Sequence, residues 1–286
     1  MPVAAAWTAR GGRAAAAQRR RFAAHGYLVF EDLLTPRELA GLRAALATVL
    51  HRARRLTRSN SKFVIVRGPD DTRLVSRVRD PITQHRRFHH LVFHPRILDV
   101  VENLIGPNIQ LHQSRLILKP RAPRAWFDWH QDFPAFPHTN FDLVIVTIYL
   151  DDSTPDNGCL AVIPGSHRLG PLRHQFTFDG APRTRLADRR QVRGRARGVE
   201  VPVRAGGILV HHANLLHSSR ANRTDRPRPA LSFWYRAADN VQVGGPTDIP
   251  GLGLQVRGVD PGVVRMDAQT CRLPIPARRP LRGRRR

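Results

Sequence analysis

Apolar positions recur at three- and four-residue spacing early in this chain, and as alternating or continuous runs from about residue 108 onward. The first rhythm predicts amphipathic helices and the second predicts strands. An Ala/Arg-rich stretch from Gly12 to Ala24 reads as a helix stopped by Gly26 in a left-handed cap, followed by a short strand Tyr27–Phe30. Thr35-Pro36-Arg37-Glu38 then announces a second helix, with Thr35 as N-cap, Pro36 at its first position and Glu38 closing a capping box. Its stripe is Leu39, Leu42, Leu46 and Leu50. Phe63–Val66 is a short strand; the rest of 56–90 carries little periodic signal. Ile97, Val100, Val101 and Leu104 give another helix, ended by Gly106-Pro107.

From Asn108 the chain turns to strands. One face of 109–116 is unusually polar for a strand, with Gln113 and Arg115 among its members. Phe141–Leu150 is a long β-branched run, and the Asp156-Asn157-Gly158 turn is expected to close a hairpin into Leu160–Ile163. Val199–Val203, Ile208–His212 and Ala230–Arg236 complete the visible strands. Residues 168–198 are strongly basic and patternless, a lid or a disordered loop. The expected division is a disordered N-terminus at 1–11, one domain over 12–240, and a Gly/Pro/Arg-rich extension over 241–286 that reads as a solvated tail. The fold class is mainly β with flanking helices.

Composition changes this picture only a little. The formal charge of +25 is carried almost wholly by arginine, with Lys62 and Lys119 the two lysines. Such a field favours anionic substrates and causes non-specific adhesion to nucleic acid, but it says nothing of the fold. No basic stretch interleaved with aromatics offers a base-stacking platform, so a specific nucleic-acid partner is not expected. Cys159 and Cys271 are too few and isolated for a disulfide framework, which points to a reducing, cytoplasmic setting. No apolar run is long enough to span a bilayer, and no secretory signal is visible. Oligomeric state is not readable.

Candidate chemistry begins at Trp129-His130-Gln131-Asp132-Phe133. If this stretch is extended, alternation puts His130 and Asp132 on one face. H-x-D alone is a weak signal. His217, between the apolar runs 207–210 and 230–235, can supply a third ligand and complete the 2-His-1-carboxylate set of non-haem Fe(II) oxygenases. Arg228, eleven residues later and entering a strand, can return beside it and grip a distal carboxylate through its bidentate fork.

With these residues in order, the chain resembles the phytanoyl-CoA dioxygenase family of Fe(II)/2-oxoglutarate oxygenases. The likeness also runs through Phe22–Phe30, Asp152–Gly158 and Val162–His167. It implies a double-stranded β-helix (jelly-roll, cupin-like), iron on His130, Asp132 and His217, and 2-oxoglutarate anchored by Arg228 with help from Ser219. It further implies that Gln113 and Arg115 line the substrate chamber and that Trp126, Phe127, Trp129 and Phe133 supply its apolar shell. The chemistry implied is use of O2 to hydroxylate an unactivated C–H of a small molecule, with 2-oxoglutarate leaving as succinate and CO2. Desaturation, cyclisation and epoxidation use the same ligands, whereas halogenating relatives lack the carboxylate that Asp132 provides. Natural-product tailoring, an amino-acid derivative and an acyl thioester all fit. Parts of 111–133 and 150–167 look like the ectoine hydroxylase branch, but Pro134-Ala135-Phe136-Pro137-His138 replaces that branch's pattern after H-x-D, which argues against ectoine.

Fourteen histidines compete for these roles. His211 and His212 read as a strand end, His167 as a turn residue, and His138 and His25 as ordinary exposed or capping residues. The alternatives to an oxygenase are a catalytically silent metal-binding member serving an anionic or nucleic-acid partner, a nucleic-acid demethylase of the same chemistry, and a storage or isomerase-like cupin. The last has no need of Arg228 at that spacing.

Overall fold

The computed structural model describes residues 12–122, 125–178, 182–188, 190 and 198–267. The expectations for 1–11, Arg189, Arg193, Arg195, Arg197, Cys271 and the terminal arginines lie outside these residues. Helix α1 (Gly12–His25) ends where expected, with the N–H of Gly26 bonded to the carbonyl of Phe22 at 2.7 Å and Gly26 at φ +80°. Only glycine fits there, because a Cβ would collide with His167. Strand β1 (Tyr27–Phe30) leads to helix α2 (Pro36–Ala53), whose capping box at Thr35 and Glu38 is fully formed. Strands β2 (Phe63–Arg67) and β3 (Arg73–Arg79), the short helix α3 (Arg86–Leu91) and helix α4 (Pro95–Ile105) follow. Of these, β3 and α3 had no legible pattern.

The remaining strands are β4 (Ile109–Ile117), β5 (Phe127–His130), β6 (Leu143–Tyr149), β7 (Leu160–Val162), β8 (His174–Phe178), β9 (Pro182–Leu186), β10 (Val199–Val201), β11 (Ile208–His212), β12 (His217–Ser219), β13 (Ala230–Ala237) and β14 (Leu254–Arg257). They form a large sheet in the order β1-β11-β6-β13-β4-β3-β2, with β14 also on β4, and a small sheet β10-β7-β12-β5. Every pairing among the described residues is antiparallel. Period-two alternation divides the large sheet's two faces. Leu28, Phe30, Val144, Val146, Val210 and Phe233 point outward under α1, α2, α3 and α4, where Leu42, Leu46, Phe88, Ile97 and Val101 bury them. Tyr27, Val29, Tyr149 and Leu209 point inward and meet Val162 and Val201 of the small sheet. This is the jelly-roll arrangement, with the helices confined to one outer wall.

Three expectations are corrected. β6 and β7 are not hairpin partners, since β6 lies in the large sheet and β7 in the small one. The turn between them carries the chain across the sandwich. In it the Asn157 side chain accepts the N–H of Thr154 at 2.8 Å and donates to the carbonyl of Asp152 at 2.7 Å. The basic stretch 168–198 contains a β8–β9 hairpin. The segment beyond Asn240 is no solvated tail as far as Asp267. β14 pairs with β4, Arg257 bonds Asp99 and Glu102 of α4 at 2.7 and 2.8 Å, and the N–H of Asp267 bonds the carbonyl of Thr139 at 2.9 Å. These contacts are all long-range, and Gly/Pro content hides them.

Glu38 ties α2 to α4. Its carboxylate accepts from the Thr35 backbone at 2.7 Å, from Arg96 at 2.7 Å, and faces His94 at 3.0 Å. Partial burial pushes its pKa up, but the Thr35 and His94 hydrogen bonds outweigh this and hold it at about 2 against an ordinary 4.5. A depressed carboxylate contributes stability that is present above the unfolded pKa and lost as pH falls through the folded one. Wild type is therefore expected to exceed Glu38→Gln in urea midpoint at neutral pH, with the gap closing as pH falls from about 4.5 towards 2.

Candidate metal centre

Strands β5 and β12 run side by side, with His130 and His217 directly opposite each other. Their rings lie 4.1 Å apart, centroid to centroid. Each donates its Nδ1 proton to the carbonyl two residues back, His130 to Asp128 at 2.7 Å and His217 to Leu215 at 2.9 Å. That fixes the tautomer and leaves both Nε2 lone pairs for a metal, as outer hydrogen bonds do at metal-binding histidines. Asp132 reaches the same point by a different route from the one expected. It has left the strand for an αR conformation at the head of a 3-10 turn, and its N–H and that of Phe133 both bond the carbonyl of Ala213. The carboxylate oxygens then stand 3.9 Å from each Nε2.

Burial holds both His130 and His217 at about 4, with His217 also depressing His130 and His174 also depressing His217. Both imidazoles are thus neutral at pH 7. Burial pushes Asp132 up, and the neighbouring His130 and Trp234 indole oppose it. The three donor atoms lie within 4.8 Å of one another, and among the described residues no other such group can hold a metal ion. Two neutral nitrogens and one carboxylate suit a divalent first-row ion that keeps open positions.

Behind this centre sit two buried cations. Arg228 is 6% exposed and Lys119 1% exposed, and the charged and polar groups acting on them are each other, Arg77, Tyr149 and Cys159, with no carboxylate among them. The Arg228 guanidinium lies 5.4 Å over the Tyr149 ring and its Nε has no hydrogen-bond partner. The Lys119 ammonium lies over Phe127 at 5.3 Å and 3.4 Å from the Ser219 carbonyl. Burial, then Arg228 and Arg77, pull Lys119 down to about 6. Ser219 Oγ donates to the carbonyl of Gly158 at 2.9 Å, and Gly158 must be glycine because its φ is +75° and a Cβ would strike the backbone carbonyl of Arg220. An unpaired buried charge is costly, so this pocket calls for an anion.

The other expected residues divide. Gln113 is buried on the inner face of β4 opposite Trp234, with its Oε1 unpartnered. Arg115 shares that face but is spoken for by Asp80 at 3.0 Å. Phe133 is fully buried in a cluster with Leu143, Ile145 and Trp234. Trp129 is a correction: it packs with Leu172, Leu186 and Leu216 on the hairpin side of β5, not in a chamber wall. His138 is also misread, being buried and bonded to the carbonyl of Phe136 at 2.7 Å. The ring of His211 lies 4.7 Å from that of His217 in a tilted arrangement but stands outside the donor set, and His167 is held by the carbonyl of Ala23.

Residues 22–230 match the family model described as phytanoyl-CoA dioxygenase (PhyH). The chain belongs to this family. Relatives include a probable alpha-ketoglutarate-dependent hypophosphite dioxygenase of Stutzerimonas stutzeri, 28% identical over 78% of this chain and 79% of that protein. The ectoine dioxygenase of Sphingopyxis alaskensis is 29% identical, over 79% of this chain and 76% of its own length. Among solved structures, the epimerase SnoN in complex with Fe3+, alpha ketoglutarate and nogalamycin RO has a TM-score of 0.66 and 27% identity, covering 90% of this chain and 96% of that one. EctD of S. alaskensis with 2-oxoglutarate and 5-hydroxyectoine has a TM-score of 0.66 and 25% identity, covering 88% and 86%. The PhyH-family chain described here is a non-haem Fe(II)- and 2-oxoglutarate-dependent dioxygenase, with O2 as its other cosubstrate.

Lys119 is a candidate cosubstrate-binding residue that the sequence pattern did not single out. Its one signal was compositional, a lysine kept at a loop in a chain whose cations are otherwise arginine save Lys62. A carboxylate settling beside Lys119 raises its pKa, so 2-oxoglutarate binding above about pH 6 is expected to take up a proton. Calorimetry in buffers of different ionisation enthalpy reads this uptake directly. Lys119→Met is expected to abolish it and to weaken 2-oxoglutarate binding by about tenfold.

Proposed function

We propose that this dioxygenase hydroxylates an unactivated C–H of a polar small molecule, with iron on His130, Asp132 and His217 and 2-oxoglutarate gripped by Arg228 and Lys119. The carrying observation is the joint one: two free Nε2 atoms and a carboxylate within 4.8 Å, backed by two buried cations that lack a counter-ion. Iron with 2-oxoglutarate and O2 supplies the oxidising power, and 2-oxoglutarate leaves as succinate and CO2.

The chain's own residues do the positioning. His130 and His217 present fixed lone pairs, and Asp132 supplies the charge that favours a divalent ion. Arg228 and Lys119 neutralise the distal carboxylate and orient the cosubstrate's other end towards the metal. Phe127, stacked on His130 at 6.2 Å, and Tyr149 exclude water around it. Gln113, with its unpartnered Oε1, faces the substrate side, and Trp234 opposite it on the neighbouring strand turns its indole towards Asp132. Because Asp80 already neutralises Arg115, recognition on this wall is by hydrogen bonding, even though the +25 charge draws anions at long range.

A natural-product intermediate, an amino-acid derivative and an acyl thioester are all compatible with this wall, whereas Pro134-Ala135-Phe136-Pro137-His138 after Asp132 argues against ectoine. The protein is taken to be cytoplasmic; Cys159 is free and buried, and among the described residues no helix is long and apolar enough to cross a membrane. A catalytically silent binding role loses support from the intact donor set.

The test is anaerobic binding of Fe(II) and 2-oxoglutarate, followed by incubation in air with metabolite extract and a search for products one oxygen atom heavier. Asp132→Ala is expected to abolish succinate formation. Arg228→Met removes a charge-assisted fork of about 2–3 kcal/mol and is expected to raise the 2-oxoglutarate requirement by about 30- to 150-fold. Unchanged succinate yield in the first variant refutes the ligand assignment.

A further inference from the structure

We propose that His174, on the β8–β9 hairpin, is a positioning residue that holds the metal ligands in register through the backbone of Gln131. The proposal rests on the assignment of His130, Asp132 and His217 as ligands. Gln131 is the residue between two of them and is completely buried. Its N–H donates to His174 Nε2 at 2.9 Å. Its side-chain amide donates to the carbonyls of Gly170 at 2.9 Å and Asn214 at 2.7 Å, and its Oε1 accepts the N–H of Leu172 at 2.7 Å. His174 in turn bonds the carbonyl of Leu172 through Nδ1 at 2.8 Å.

Both ring nitrogens of His174 are therefore occupied. It cannot coordinate a metal, although it lies close enough to His130 and His217 to interact with both electrostatically. Its position does something else. Two segments distant in sequence, the approach to β8 and the turn after β11, close on one residue. The same turn supplies the Ala213 carbonyl that fixes Asp132 and Phe133. The hairpin is seated independently of this knot, because Leu186, paired with His174 across the hairpin, packs against Trp129 and Leu216. The hairpin thus delivers an acceptor to the buried N–H of Gln131. Outer hydrogen bonds of this kind set the orientation of metal ligands, and their loss commonly lowers metal affinity by about 10- to 100-fold.

The experiment titrates Mn(II), a redox-inert probe, into the full chain and into His174→Phe and His174→Gln, with thermal unfolding of each metal-free protein. His174→Phe fills the space but offers no acceptor, and is expected to weaken Mn(II) binding by about 10- to 100-fold. His174→Gln restores an acceptor near the old Nε2 position and is expected to recover most of that loss. Gln131→Leu, which strips the same knot from the other side, is expected to weaken Mn(II) in the same direction and covers the case in which His174→Phe does not fold. Equal Mn(II) affinity in wild type and His174→Phe overturns the proposal. So does equal weakening in the Phe and Gln variants with matched losses of melting temperature, which is the mark of a merely structural residue. Failure of wild type itself to bind Mn(II) at one saturable site strikes instead at the ligand assignment.

Discussion

The antiparallel pairing of β5 with β12 is the constraint on which the site depends. It sets His130 opposite His217 across one ladder, so two imidazoles meet without either side chain having to reach. The rest follows from where the Nδ1 protons go. Each ring gives its proton to its own chain two residues back, and burial then removes any incentive to take up a second one. A site of this kind is ready for a cation before any cation arrives, since the cost of orienting the donors has been met in folding.

The second requirement is electrostatic. Arg228 and Lys119 lie behind the donor set in a region where burial depresses both and no acid answers them. In water such like charges repel weakly, but desolvated they become unfavourable enough for Lys119 to give up its proton near neutral pH. A carboxylate held in this pocket, as the proposed cosubstrate site requires, would relieve the burial cost on Arg228 and restore the proton to Lys119.

What could be read from the chain beforehand separates by range. The cap at Thr35, the stop at Gly26 and the stripe of α4 depend on residues within a turn or two, so they are legible. His217 and Arg228 stood out because strand–turn–strand spacing limits where the second strand can return; His217 lies in the donor set and Arg228 is buried. Trp129 was misplaced because alternation gives two faces without saying which one looks inward, and β5 is bulged against β12 between His217 and Ser219. The hairpin at 174–186 went unseen because its alternating apolar positions, Phe176 and Phe178, are only two and are set in a stretch dominated by arginine and polar residues. Lys119 meets the Ser219 carbonyl 100 residues away, and the Nε2 of His174 meets the N–H of Gln131 43 residues away, and no local pattern carries that information.

Histidine tautomers show why a motif cannot name ligands unaided. His130, His138, His174 and His217 all send Nδ1 to the carbonyl two residues earlier, so all four expose Nε2. The local chemistry is the same in each. What differs is the object that Nε2 meets. In His174 it is the N–H of Gln131, while in His138 it is buried with no partner, beside His112 and Phe133. Only in His130 and His217 do the two atoms face a common carboxylate. The fold makes the metal centre by choosing which of several equivalent imidazoles share a neighbour, and that choice is made by sheet pairing rather than by the residues themselves.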